Sequence, residues 1–332
     1  MKKMSRREAF KQGLAGVAGV AAGTSLARAS TLGVHTDPHV VMTGGLPAGA
    51  GIDPVAFLTK FDYGQVSRRA NGQTVREYRL TALDRDIEVM PGVFYAGWTY
   101  NGQVPGPTLR ATEGDLVRVH FTNAGQHEHT IHFHGFHAAA MDGVFEQVPP
   151  GGSYVYEFEA RPFGLQLYHC HTMPLKRHIA KGLYGAFIID PPAKTPRPPA
   201  HELVMVMNGF DVNFDGENEV YGVNTVPFAY QAHPIVLRRG ELNRIYLVNA
   251  LEFDPLNSIH IHANFFHVYR TGTSLVPHDF TDTISMGQGE RHILEFTYQA
   301  TGKFMFHAHQ SEFAELGWMG VFDVREDGEV AE

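Results

Sequence analysis

A chain of 332 residues with 43% hydrophobic residues can bury one large core or two smaller ones. Its formal net charge is −8, and residues 1–29 carry six positive side chains against one negative, so the remainder stands at −13 with histidine neutral. That balance excludes nucleic acid and anionic membrane surfaces as partners, and no apolar run is long enough to span a membrane. A single cysteine, Cys170, excludes an internal disulfide.

Lys2, Lys3, Arg6 and Arg7 precede a mildly apolar stretch, Gly13 to Leu26, which ends at Ala27-Arg28-Ala29. This is the order of a charged region, a short apolar region and a small-residue cleavage site. The adjacent arginines in Ser5-Arg6-Arg7-Glu8-Ala9-Phe10-Lys11 predict a bacterial twin-arginine export signal over 1–29 and a periplasmic or secreted protein. Residues 30–73, with Gly, Pro and no clear period, read as an extension. Strand-like segments follow at Arg76–Ala82, Leu116–Thr122, Tyr154–Phe158 and Gly185–Ile189, within a first domain over 74–190. The proline-rich run from Pro191 to Pro199 predicts a stiff linker over 191–200, and a second strand-rich domain fills 201–325. The two blocks repeat one another. Glu113-Gly114-Asp115-Leu116-Val117-Arg118-Val119 is echoed by Arg239-Gly240-Glu241-Leu242-Asn243-Arg244-Ile245. Each block then has a His-x-His segment and closes on another, followed by a glycine and an apolar strand. The reading is an all-β chain with two copies of one β-sandwich.

His-x-His occurs at 127/129, 132/134, 169/171, 260/262 and 307/309. Residues two apart on a strand share a face, so each pair presents two imidazoles to one side. One such pair is ordinary polar alternation; four in equivalent places of a repeat form a ligand array. Parity then sorts them. His169 and His171 face away from Cys170, and His132 and His134 face away from His129, so His129 and Cys170 meet inside the sandwich while four imidazoles point out. A thiolate with two imidazoles is the donor set of a blue electron-transfer copper, and His178, beyond a proline-containing loop, is the natural second imidazole. The second domain has the outward His260, His262, His307 and His309, but Asn257 and Ala308 stand where His129 and Cys170 would be. Structural zinc takes four ligands, and the neighbouring thiolate argues for a redox metal. His120, His127, His137, His201, His233, His267, His278 and His292 read as surface or hydrogen-bonded core histidines.

Five stretches carry a family resemblance: Tyr100-Asn101-Gly102-Gln103-Val104-Pro105-Gly106-Pro107-Thr108, His129-Thr130-Ile131-His132-Phe133-His134-Gly135, Met141-Asp142-Gly143-Val144, Tyr168-His169-Cys170-His171 and Lys303-Phe304-Met305-Phe306-His307-Ala308-His309. With them the chain resembles the two-domain, laccase-like multicopper oxidases whose blue copper sits in the first domain. The resemblance implies two cupredoxin-like Greek-key β-sandwich domains. It also implies an oxidase that couples one-electron oxidation of a reductant (phenol-like, a metal ion or a redox partner) to four-electron reduction of dioxygen to water. His132 and His260 would hold a type 2 copper. His134, His169, His171, His262, His307 and His309 would hold a type 3 pair. With the type 1 site that makes four coppers per chain, and Asp142 matches an acid that moves protons and tunes the cluster. Each domain supplies half of the cluster, and the stiff linker makes it awkward for one chain to join its own halves, so they are expected to meet between chains, head to tail, in a ring. The resemblance implies three chains, a homotrimer.

Two departures stand out. The axial position, five residues after His178, is Leu183 rather than Met, with Met173 a poorer substitute, and Glu312 lies three residues after His309 with no assigned role. Two alternatives compete. A copper-containing nitrite reductase resembles His178–Leu183 and Glu312–Gly317, but needs a single histidine beside the cysteine and an acid where His132 stands. A non-enzymatic periplasmic copper or electron-transfer protein leaves four histidines of the second domain without use. No Met-rich insertion points to cuprous ion, and the electron donor stays unidentified.

Overall fold

The computed structural model describes residues 52–326; the export signal expected at 1–29 and the beginning of the expected extension lie outside them. Pro54–Phe57 forms a helical turn, α1, capped by Asp53, whose Oδ1 accepts from the amides of Val55 at 2.9 Å and Ala56 at 3.2 Å. There follow β1 (Phe61–Asp62), β2 (Gln65–Arg68), β3 (Thr74–Met90), β4 (Val93–Tyr100), β5 (Thr108–Thr112), β6 (Leu116–Asn123), β7 (His132–Phe133), β8 (Ser153–Glu159), β9 (Gly164–His169), α2 (Leu175–Ala180) and β10 (Tyr184–Asp190). The second half holds β11 (His201–Phe210), β12 (Val220–Val223), α3 (Ala229–Ala232), β13 (Ile235–Arg238), β14 (Asn243–Asn249), β15 (Leu256–Ile261), β16 (Phe266–Arg270), β17 (Asp279–Thr281), β18 (Thr283–Gly287), β19 (Arg291–Phe296), β20 (Gly302–His307), α4 (Ser311–Glu315) and β21 (Met319–Arg325).

In the first half one sheet runs β1-β5-β10-β9-β7 and the other β2-β3-β6-β8, with β4 beside β3. In the second half the sheets run β12-β11-β14-β19-β16-β17 and β13-β21-β20-β15-β18. Parallel pairs recur in both halves, β3 with β6 and β5 with β10, then β11 with β14 and β13 with β21. The result is two cupredoxin-like sandwiches, each with its own apolar core.

β6 alternates buried and accessible residues, as a strand with one wet face should. β9 and β14 are buried along their whole length, which requires cover on both faces. The cover is the other domain. Leu165, Leu167, Ala186 and Ile188 pack with Val204, Val206, Val248 and Ile293 in a third apolar cluster between the sandwiches. Beside it, Arg110 donates to Asp190 at 2.8 Å and to Glu202 at 2.6 Å, while Arg244 donates to Glu202 at 3.0 Å and to Glu295 at 2.6 Å. The linker is pinned too: Arg197 donates to the carbonyls of Gly272 at 2.6 Å and Ser274 at 2.9 Å. The segment ahead of β3 acts as a strap. Leu58 enters the second core and its carbonyl accepts from Val204 N at 2.8 Å, while β1 joins the first domain through β5. Among the described residues, no helix is long and apolar enough to cross a membrane.

The repeat extends to individual hydrogen bonds. Cys170 N donates to Leu183 O at 3.0 Å and Leu183 N to His178 O at 3.3 Å; Ala308 N donates to Trp318 O at 3.1 Å and Trp318 N to Phe313 O at 2.8 Å. Gly182 and Gly317 close these two turns at φ +113° and +131°, a backbone that glycine adopts most readily.

Candidate metal centres

His129 lies in the loop after β6, paired to Val148 by an isolated bridge; Cys170 directly follows β9, and His178, beyond the proline-containing loop, sits on α2. The Cys170 sulfur is 3.2 Å from His178 Nδ1 and 3.9 Å from His129 Nδ1, and the two Nδ1 atoms are 3.2 Å apart. All three side chains are buried. Burial, with smaller contributions from neighbouring cations and imidazoles, lowers His129 to about 3 and His178 to about 4, so both rings are neutral and keep a lone pair for a metal. Burial also raises the Cys170 thiol, against opposing hydrogen bonds from Thr172 and Thr130. Ionising that sulfur in an apolar setting needs a cation beside it, which a metal supplies. The other nitrogen of His129, Nε2, is buried with no partner, so the ring is oriented by what lies at Nδ1. One sulfur and two neutral nitrogens fit copper. Leu183 is packed in the same core as Cys170, whereas Met173 is 75% exposed.

On the opposite face His132, His134, His169 and His171 form a quartet. His134 Nε2 and His169 Nε2 are 3.2 Å apart, and the His132 ring lies 5.2 Å from that of His169 and 5.5 Å from that of His171. His132 Nδ1 donates to the Asp142 carbonyl at 2.8 Å, with the Asp142 carboxylate at 3.1 Å, which leaves Nε2 free to face outward. His169 Nδ1 donates to the carbonyl of Cys170 at 2.9 Å. Burial lowers His134 to about 3, helped by Arg291, and His169 to about 4.

The second domain repeats the arrangement. His262 Nε2 and His307 Nε2 are 3.0 Å apart, His307 Nδ1 donates to Ala308 O at 2.6 Å, and the His260 ring lies 5.7 Å from that of His309. His260 Nδ1 donates to Asp282 O at 3.0 Å and Thr283 Oγ1 at 2.8 Å, with the Asp282 carboxylate 3.9 Å away, so Asp282 is the counterpart of Asp142. Sequence reasoning missed it because Asp142 follows His132 by 10 residues and Asp282 follows His260 by 22, with β16 and β17 between. The inner site of this half is filled: Asn257 accepts from Trp318 Nε1 at 3.0 Å, and Phe313 occupies the place of His178.

Among the described residues, each close group of histidines belongs to one domain. The first quartet opens into a cavity of about 350 Å³ that the second domain lines with Glu252 and Gln288 rather than with its histidines. Glu312 sits on α4, at the position that matches Arg177 on α2.

Residues 84–194 and 195–328 each match a family model described as multicopper oxidase. The chain belongs to the multicopper oxidase family. A solved structure of a multicopper oxidase is 55% identical, with a TM-score of 0.83 over 85% of this chain and 100% of that one. A copper nitrite reductase from Nitrosomonas europaea is 27% identical, with a TM-score of 0.71 over 77% and 95% of the two chains. The copper-containing nitrite reductase of Neisseria meningitidis is 27% identical over 70% of this chain, which spans 64% of that protein's length. The two-domain multicopper oxidase architecture makes the chain an oxidoreductase that uses copper.

Proposed function

We propose that this multicopper oxidase is laccase-like. It takes single electrons from a phenol-like compound, a metal ion or a redox protein, and passes them to a trinuclear centre that reduces dioxygen to water. The observation that carries this reading is the presence of two matching imidazole quartets, with a histidine on each side of Cys170. A nitrite reductase has no use for the second of those histidines, and needs an acid where His132 stands.

His129, Cys170 and His178 would hold the type 1 copper, His132 and His260 the type 2 copper, and the other six outward histidines the type 3 pair. Copper supplies the one-electron acceptance and the dioxygen reduction; the chain supplies position, protons and dryness. Cys170 is bonded through the backbone to both His169 and His171, and the His169 hydrogen bond to the Cys170 carbonyl offers a second short path. Asp142 holds the His132 proton at Nδ1 and stands beside the cluster as a proton carrier. The neutral, buried imidazoles bind metal without first losing a proton.

Because each quartet comes from one domain, the cluster would form where the first domain of one chain meets the second domain of the next, in a head-to-tail homotrimer. Exposed aromatic rings support this: Phe136 and Phe145 near the first quartet, Phe265 and Phe280 beside His260. Residues 1–29 would export the chain to the periplasm or beyond. The test is copper-loaded protein given hydroquinone under oxygen, and separately given nitrite without oxygen. Oxygen uptake, blue absorption that Cys170→Ser abolishes while cluster copper stays, and four coppers per chain are expected. Nitrite reduction without oxygen uptake would overturn the reading.

A further inference from the structure

The groups assigned to the blue copper are sealed: His129 and Cys170 are wholly buried and His178 is 4% exposed. One side chain lies against both imidazoles. The indole of Trp98, on β4, has its centroid 5.2 Å from that of His129 and 4.8 Å from that of His178. Its amide is tied to the carbonyl of Lys181 at 2.8 Å, which fixes it beside α2. On the side of the ring toward solvent lie two surface groups, the exposed imidazole of His127, centroid at 4.7 Å, and the Arg177 guanidinium, 5.1 Å over the ring, while the rest of Trp98 packs in the first domain's core. Trp98 is itself only 7% exposed, so the indole is a layer between these surface groups and the two ligands.

We propose that Trp98 is the residue through which electrons reach the type 1 site, from a donor seated against Arg177 and His127. The inference rests on the blue-copper reading of His129, Cys170 and His178. The donor loses one electron and the copper gains it, while the indole is left as it was. Arg177 helps to keep it so, because a cation over a π face stabilises the ring electrons and makes the indole harder to oxidise. Electronic coupling passes through packed atoms far better than through an empty gap of equal width. Removing the ring opens such a gap, since packed surroundings relax only partly.

The experiment is anaerobic stopped-flow reduction of copper-loaded protein by hydroquinone, read as bleaching of the blue band. Trp98→Leu should slow bleaching by about tenfold, about 1.4 kcal/mol in barrier, with the band position and midpoint potential unchanged. Trp98→Phe, which keeps a ring, should fall between, and reoxidation of reduced protein by dioxygen should be the same in all three. Wild-type bleaching in a folded Trp98→Leu protein would place the route at the His178 edge. Slowing that tracks a shifted potential would make Trp98 a packing residue only; either result overturns the proposal. A second readout needs no electron flow. The chain has two tryptophans, so in a Trp318→Phe background the Trp98 emission should be quenched as the blue site fills, and emission indifferent to copper would also overturn the proposal. Absence of a blue band in the parent protein would instead sink the reading on which this one rests.

Discussion

Leu183 and Met173 divide the axial question between them. Leu183 is buried and bonded through its backbone to Cys170 and His178, while Met173 is 75% exposed and would have to rebuild its turn to reach the sulfur. Leu183→Met is close to volume-conserving and should lower the blue-site potential by presenting a weak thioether donor; Met173→Leu should leave it unchanged. Redox titration decides, and identical potentials in Leu183→Met and the parent would remove Leu183 from the axial position. At this scale strand parity made most of the site legible, because alternation alone separates His129 and Cys170 from the outward imidazoles. Phe313 and Trp318 were illegible, since one apolar side chain filling an apolar pocket leaves no motif. Trp98 was hidden for a similar reason: an aromatic residue in an apolar strand reads as core.

The hairpin between β11 and β12 brings carboxylate oxygens of Asp211, Asp215 and Glu219 within 4.8 Å of one another. Glu219 is 1% exposed. Burial, then Asp211 and Asp215, push its carboxyl from 4.5 up to about 7, against the hydrogen bonds from Val212 and Asn213. A raised acid means that the folded chain holds a proton the unfolded chain releases. Stability therefore falls as pH climbs from 4.5 to about 7. Glu219→Gln should remove that dependence, so that its stability relative to the parent rises by roughly 1–3 kcal/mol from the low to the high side of the window. Thermal unfolding across pH checks this, and parallel curves for variant and parent would assign the titration elsewhere. Among the elements, β3, β6, β8 and β10 announced themselves by alternation and by apolar runs. α2 did not, because the six residues Leu175–Ala180 are too few to display a helical period. Nor did β1 and β2, whose short, accessible sequences resemble loop.

Across the whole molecule, the joint between domains depends on Glu202, which serves Arg110, Arg244 and Tyr246 together. Burial would raise its carboxyl, but the Arg110 and Tyr246 hydrogen bonds and Arg244 outweigh it and hold it below its ordinary value. Its contribution is thus complete above that ordinary value and is lost as pH falls through the depressed one. Glu202→Gln should cost on the order of 2 kcal/mol at neutral pH and flatten the acid limb of the unfolding curve; an unchanged acid limb would count against it. The ring assembly has its own test. His132→Ala/His134→Ala and His260→Ala/His262→Ala proteins, each inactive, should regain oxygen uptake when mixed with subunit exchange, because random assembly restores about a quarter of head-to-tail joints. No recovery despite proven exchange, or a fully active monomer, would break the ring. The filled inner pocket of the second domain has a consequence for any attempt to open it. Opening it one step at a time, by Trp318→Leu or Phe313→His, leaves a void or strands an imidazole among apolar side chains, at about 1–5 kcal/mol each. None of these steps gains a copper until Ala308 has become a thiol. The plugged twin is held as if by a ratchet: each single opening loses stability and returns no complete donor set, because a thiol and two imidazoles would have to arrive together.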